Sequence, residues 1–132
     1  APHQATEDAL VMTDRLDDYL RRAAAKRFDW ETLHCGFFAA DWVFEMTGRD
    51  PMQPWRGQPA DLAKTADVLK VAETQMAGFE RIGAPVRGCI GIVEVPRFGP
   101  TSSIHCGPLW AVKTVEGIGF GRFRPLAMWA VA

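Results

Sequence analysis

The spacing of apolar residues changes once along the chain, and that change divides it. Between Asp14 and Ala25, Leu16, Tyr19, Leu20, Ala23 and Ala24 recur at helical spacing opposite Arg15, Asp18 and Arg22, which predicts an amphipathic helix. Phe28-Asp29-Trp30 then reads as a loop with two large rings, an apolar plug over the next helix. That helix, predicted from His34 to Thr47 with Gly48 as its stop, is apolar almost all round. Phe37, Phe38, Ala39, Ala40, Trp42, Val43, Phe44 and Met46 leave only Asp41 and Glu45 for a wet stripe. Such a helix is expected to be buried, and Cys35 stands in its first turn. After a Pro- and Gln-bearing loop ending at Pro59, Asp61 reads as the N-cap of a third helix with Leu62, Ala66, Leu69 and Val71 on its apolar side. A fourth helix is expected from Glu73 to Ile82, ended by Gly83-Ala84-Pro85.

From Val86 the period falls to two. Strands are predicted at Cys89–Val95, Ser102–Cys106, Leu109–Thr114, Ile118–Phe123 and Ala127–Val131, separated by Pro- and Gly-bearing turns. Helices first and strands second predict an α+β fold, in which a helical N-terminal half packs its Cys-bearing helix on a small antiparallel β-sheet. Residues 1–13 read as an N-terminal arm and residues 14–132 as a single domain.

Composition narrows the function. A chain of 132 residues can bury one core, and its five Trp and eight Phe imply a thick core or an adhesive surface. A net charge of −1 gives no electrostatic footprint for nucleic acid or an anionic membrane. No apolar run approaches the roughly 20 residues of a membrane span, and Ala1-Pro2-His3-Gln4 lacks a signal-peptide pattern. The expectation is a protein made in a cytoplasm and used there or carried out in a larger assembly. Cys35, Cys89 and Cys106 are odd in number, unlike a secreted disulfide framework. In a reducing compartment they read as core residues, metal ligands or a nucleophile. Trp55, in a polar loop beside Pro54 and Arg56, is either an interface anchor or folded back on the domain. Gly117, Gly119 and Gly121 form no phosphate loop, because no helix with a Lys follows.

The segment Phe28 to Pro51 carries Cys-Gly-Phe-Phe-Ala-Ala-Asp-Trp-Val and then Met-Thr-Gly-Arg-Asp-Pro. It resembles a family of small proteins encoded in phage tail gene clusters, in which an aromatic loop precedes Asp-Cys, Phe-Ala-Ala and Thr-Gly-x-Asp-Pro. Gly88-Cys89, Cys106-Gly107, Glu116-Gly117 and Met128-Trp129 are similar to later landmarks of that family. The resemblance extends to NlpC-like, papain-type cysteine hydrolases of peptidoglycan peptides. It implies an NlpC/papain-like fold with the nucleophile at Cys35, whose helix N-terminus would favour thiolate, activated by a His on a facing strand. The sequence departs from that pattern at three places. His34 replaces the Asp before the Cys, Cys89 replaces the Asp of the Gly-Asp strand, and the only strand His is His105, near the end of its strand. The resemblance therefore implies a minor tail or tail-tip structural protein of a long-tailed phage or related particle, with a degenerate hydrolase fold. That places it in the virion after assembly in the host cytoplasm, bound to other tail-tip proteins. The alternatives are an active cysteine peptidase or amidase that opens peptidoglycan peptide during DNA entry, or a free-standing bacterial enzyme of the same fold.

Strand register sets the chemistry. If Cys89–Val95 and Ser102–Cys106 pair symmetrically across Pro96–Thr101, Cys89 faces Cys106, and Cys89, Gly91, Val93, Ile104 and Cys106 share the uncharged side. A slip of one residue reverses this. His105 and Cys106, being adjacent, cannot both point at Cys35. One outcome is a Cys35–His105 dyad. Another is convergence of Cys35, Cys89 and Cys106 on zinc or an iron–sulfur cluster, with His34, His105 or a partner chain as a further ligand. A third is three small buried core residues.

Overall fold

The computed structural model describes residues 15–131. The arm predicted at 1–13, with His3 in it, lies outside the described residues, as do Asp14 and Ala132.

Helix α1 occupies 15–24. Leu16, Tyr19 and Ala23 are buried, with Leu20 packed against them, whereas Ala24 faces solvent. Ion pairs hold its polar side: Arg22 to Asp18 and Glu45, and Asp17 to Arg87. Residues 28–33 form a tight loop. Asp29 and Leu33 exchange main-chain hydrogen bonds of 2.9 and 2.8 Å, and the Asp29 carboxylate accepts from the amides of Glu31 and Thr32. Phe28 meets Trp30 edge-on at 5.2 Å.

Helix α2 runs Cys35–Thr47 and ends at Gly48, whose φ of 78° closes the last turn in the left-handed region. Phe37, Phe38, Ala39, Ala40, Trp42 and Val43 are buried, while Phe44 is 53% exposed. The Trp42 indole donates to Gly88 O at 2.8 Å, and the Tyr19 hydroxyl donates to Phe38 O. These bonds tie α2 to the sheet and to α1 while satisfying polar atoms that burial would otherwise leave costly. Asp41 and Glu45 are each paired: Asp41 with Arg56 at 2.6 Å and Glu45 with Arg22 at 2.7 Å.

The middle of the chain departs from the sequence pattern. The third helix is divided into α3, Ala60–Thr65, and α4, Val68–Gln75. Ala66 is extended, and Asp67 caps α4 by accepting from Lys70 N at 3.1 Å. The local cap overrides the continuous apolar stripe. The helix expected through Ile82 stops at Gln75. Gly78 lies under the Arg49 guanidinium, where a Cβ would meet it at 2.6 Å, and that group covers the Phe79 ring at 4.5 Å. Residues 80–82 leave the helix to bond with the last strand, through Ala130 N to Glu80 O and Ile82 N to Met128 O.

Strands β1 Ile90–Val95, β2 Gly99–His105, β3 Trp110–Lys113, β4 Ile118–Gly121 and β5 Arg124–Trp129 make one antiparallel sheet in the order β4-β3-β2-β1-β5. With four α-helices among the described residues, the fold is α+β. Pro125, lacking an N–H, is tolerated in β5 because that strand is an edge, and a register irregularity lies beside it at Ile92/Val93. One face of the sheet gives Ile90, Ile92, Ile104, Ala111, Ala127 and Trp129 to the core beneath α1 and α2. The other face carries a second cluster of Cys89, Val93, Trp110, Val112 and Met128. Gly91 is required there, since a Cβ would stand 2.8 Å from the Trp110 ring.

The β1–β2 register differs from the symmetric one by one residue. Val95 pairs with Gly99 and Ile90 with Ile104. Arg97 (φ 73°) and Gly99 (φ 76°) bend the turn sharply enough for β2 to begin at Gly99. The predicted six-residue turn shrinks to Pro96-Arg97-Phe98, and the faces of β2 are reversed.

Candidate functional site

Cys35 lines a groove of about 1350 Å³ between the start of α2, the segment from Met52 to Met76, and the sheet. Its lining is largely apolar, with Trp30, Trp55 and Phe98 along it. Trp55, in the 3₁₀ turn Gln53–Trp55, is half-buried.

His34 is the N-cap of α2. Its Nδ1 accepts from Gly36 N at 3.0 Å, so the ring folds back over Gly36, where a Cβ would meet its Cε1 at 2.8 Å. It stacks on Phe37 at 4.0 Å and lies 5.9 Å from Trp30. Arg56 covers Phe37 at 4.3 Å while bonded to Asp41 and Asp50. Burial, and secondarily the Arg56 charge, push the His34 pKa down to about 4, so the ring is neutral at pH 7. With Nδ1 accepting, its proton sits on Nε2, which is buried without a partner among the described residues.

The Cys35 thiol donates to Lys113 O at 3.3 Å. Burial pushes its pKa up to about 11, and the nearby Lys113 charge offsets this only in part. On the order of one molecule in ten thousand would hold thiolate at pH 7. Loss of water thus outweighs the backbone hydrogen bonds and the Lys113 charge that favour the thiolate. Lys113 is 2% exposed. Its ammonium donates to Lys26 O at 2.6 Å and Gly117 O at 3.2 Å, and burial lowers its pKa.

The other sequence candidates lie elsewhere. The observed register, carried one residue on from Ile90–Ile104, sets Cys89 opposite His105 and not Cys106. Cys89 belongs to the cluster on the far face of the sheet, where His105 meets Trp110 edge-on at 4.8 Å. Cys106 packs against the helix-side core, with its thiol donating to Ile104 O at 3.6 Å. Its amide bonds to Leu109 O, four residues along the chain from the carbonyl that holds Cys35. That is roughly 13 Å at strand rise. The expected convergence of three thiols is therefore not what the backbone builds, and no group of three or more His, Cys, Asp or Glu suited to a metal occurs among the described residues. Nor does His105 share a sheet face with Cys35. Ser102 lies two residues before Ile104 on the same face of β2 and lines the groove.

Lys113 and Ser102 were missed by sequence reasoning. The parity of Lys113 with Ala111 could have placed it on the helix side, but nothing in the sequence says that its charge is buried. Ser102 became visible only with the correct register. Asp50 closes a turn, with Met52 N bonded to its carboxylate, and is also an ion-pair partner of Arg56.

Residues 11–131 match a family described as a domain of unknown function (DUF6950). No curated protein matches the chain.

Proposed function

The chain belongs to the DUF6950 family. We propose that it is a structural, non-catalytic protein of the tail tip of a long-tailed phage or related particle, built on a degenerate NlpC-like fold. The observation that carries the non-catalytic part is the bonding of Cys35. Its thiol is given to a main-chain carbonyl, burial keeps it protonated, and His105 packs on Trp110 on the far face of the sheet. The tail-tip assignment rests on the resemblance of Phe28–Pro51 and the later Gly landmarks to tail-cluster proteins. The groove beside Cys35 is then a docking surface for a neighbouring tail-tip protein. Phe98 and Val115, 82% and 80% exposed, extend its apolar lining outward. Among the described residues no helix is long and apolar enough to cross a membrane, in keeping with anchorage by protein contacts.

A second reading, the cysteine hydrolase of peptidoglycan peptides, is favoured by one feature: Cys35 stands in the first turn of a helix and lines an open groove. Two experiments separate the readings. Immunogold labelling of native particles should mark the tail tip, and particles without label would remove the structural assignment. Purified chain incubated with peptidoglycan should release no new amino groups. Release that disappears in Cys35→Ala would establish the hydrolase instead.

A further inference from the structure

The two edges of the sheet are unlike. At β5, Ala130 N bonds to Glu80 O and Ile82 N to Met128 O, and Arg81 bridges to Trp129, so residues 80–82 cover the end of that edge. Its start carries Arg124 and Pro125, a charge and a missing N–H that discourage a further strand. The β4 edge, Ile-Gly-Phe-Gly, has no charge, no Pro and no strand beyond it among the described residues. The register tells which of its backbone groups are open. Thr114 and Gly117 exchange both main-chain hydrogen bonds across the turn, so bonded and non-bonded pairs alternate from there. Val112–Gly119 and Trp110–Gly121 are bonded pairs, whereas Lys113–Ile118 and Ala111–Phe120 are not. The N–H and C=O groups of Ile118 and Phe120 therefore point away from β3, and they have no partner among the described residues. Phe120 lies opposite Ala111, on the helix side of the sheet, yet is 53% exposed, so the helical layer stops short of this edge.

We propose that β4 pairs antiparallel with β4 of a second copy of this chain, about a two-fold axis at Gly119. The edge is complementary to itself. With Gly119 on the axis, Ile118 faces Phe120 of the second copy, and Phe120 faces its Ile118. The two N–H and two C=O groups on each chain then meet in four hydrogen bonds, and none is left over at these residues. The same register sets each exposed Phe120 ring beside a half-buried Ile118 on one face, an aromatic and β-branched pairing that stabilises antiparallel strands. Gly119 falls at the non-bonded pair on the axis, where Cα atoms approach to about 4.5 Å and side chains crowd most. A glycine leaves that position clear. Because the β5 edge is blocked, pairing closes at two copies and does not propagate. Ile118 and Gly119 also line the groove, so the second copy's Phe120 comes to the groove wall. This pairing depends on neither the groove's occupant nor the tail-tip assignment.

The test is sedimentation equilibrium of the full chain up to about 1 mM. A four-residue edge makes a small interface, so a monomer–dimer equilibrium with a dissociation constant on the order of 10–100 μM is expected. Phe120→Lys places a charge on the edge and should weaken dimerisation about tenfold or more. Phe98→Lys removes an apolar ring that is more exposed, at 82%, but lies in the β1–β2 turn, and should leave the dimer unchanged. If Phe120→Lys does not fold, amide hydrogen exchange of the wild-type chain decides the matter. The Ile118 and Phe120 N–H groups should exchange several-fold more slowly in concentrated than in dilute protein, while those of Gly119 and Gly121, bonded to β3, are protected in both. A chain that stays monomeric up to about 1 mM overturns the second copy as occupant. A dimer without new protection at Ile118 and Phe120, or one weakened equally by Phe98→Lys, overturns the β4 edge as its interface. Species that grow beyond the dimer overturn the closed two-fold pairing.

Discussion

The two faces of the sheet carry similar chemistry in different surroundings. On the helix side, Cys35 and His34 border a groove, together with Lys113 and Ser102. On the far side, Cys89 and His105 lie in the packing around Trp110. A cysteine and a histidine occur on each, yet neither face forms a dyad. The thiols of both faces are pushed up by burial, and both imidazoles are pushed down by it. Proximity to a helix N-terminus or to a histidine in sequence does not activate a thiol when desolvation is the larger effect. The faces differ in packing. The far face fills its space, down to a glycine under an indole, whereas the helix side borders an open groove.

The largest effects should come from opening either packed region. Trp42→Ala should cost about 3–5 kcal/mol, as should Trp110→Ala, measured by urea unfolding. If Trp110→Ala costs less than about 1 kcal/mol, the far face is not a second core and the contrast fails.

Acid should separate the histidines next. His34 has a folded pKa near 4 against about 6.5 unfolded, so between these values the unfolded chain binds more protons. Stability should therefore be full above about pH 6.5 and fall by about 2–3 kcal/mol as pH drops through 4. His34→Gln, which keeps a side-chain acceptor for the Gly36 amide, should flatten that part of the profile. An unchanged slope would mean that other groups dominate the acid response.

The sequence made the elements visible where local pattern and packing agree. The stripe of α1, the Gly48 stop of α2 and the antiparallel sheet follow from spacing alone. It misled where one residue of geometry decides the outcome. The tight turn at Arg97 and Gly99 moved β2 by one position, which took His105 away from Cys35 and separated Cys89 from Cys106. The Asp67 cap and the pairing of residues 80–82 with β5 are likewise tertiary or local-cap effects that an apolar stripe does not report. The Lys113 charge was legible as a residue, but its burial was not.

A smaller effect sharpens the contrast by construction. Ser102→His puts an imidazole on the groove side of β2 and should lower the Cys35 pKa by about one unit through hydrogen bonding to the thiolate. His105 should have no such influence, so His105→Ala should leave the Cys35 pKa where it is. A drop in Cys35 reactivity in that variant would mean that the two groups communicate through the sheet.

The most direct test of the account is the pH dependence of iodoacetamide alkylation at Cys35, followed by mass spectrometry in a Cys89→Ala, Cys106→Ala background. Modification should be slow at pH 7, with a midpoint near 11 that does not move when His105 is removed. A midpoint at or below about 7, in the range of activated cysteines, would contradict it and restore Cys35 as a nucleophile.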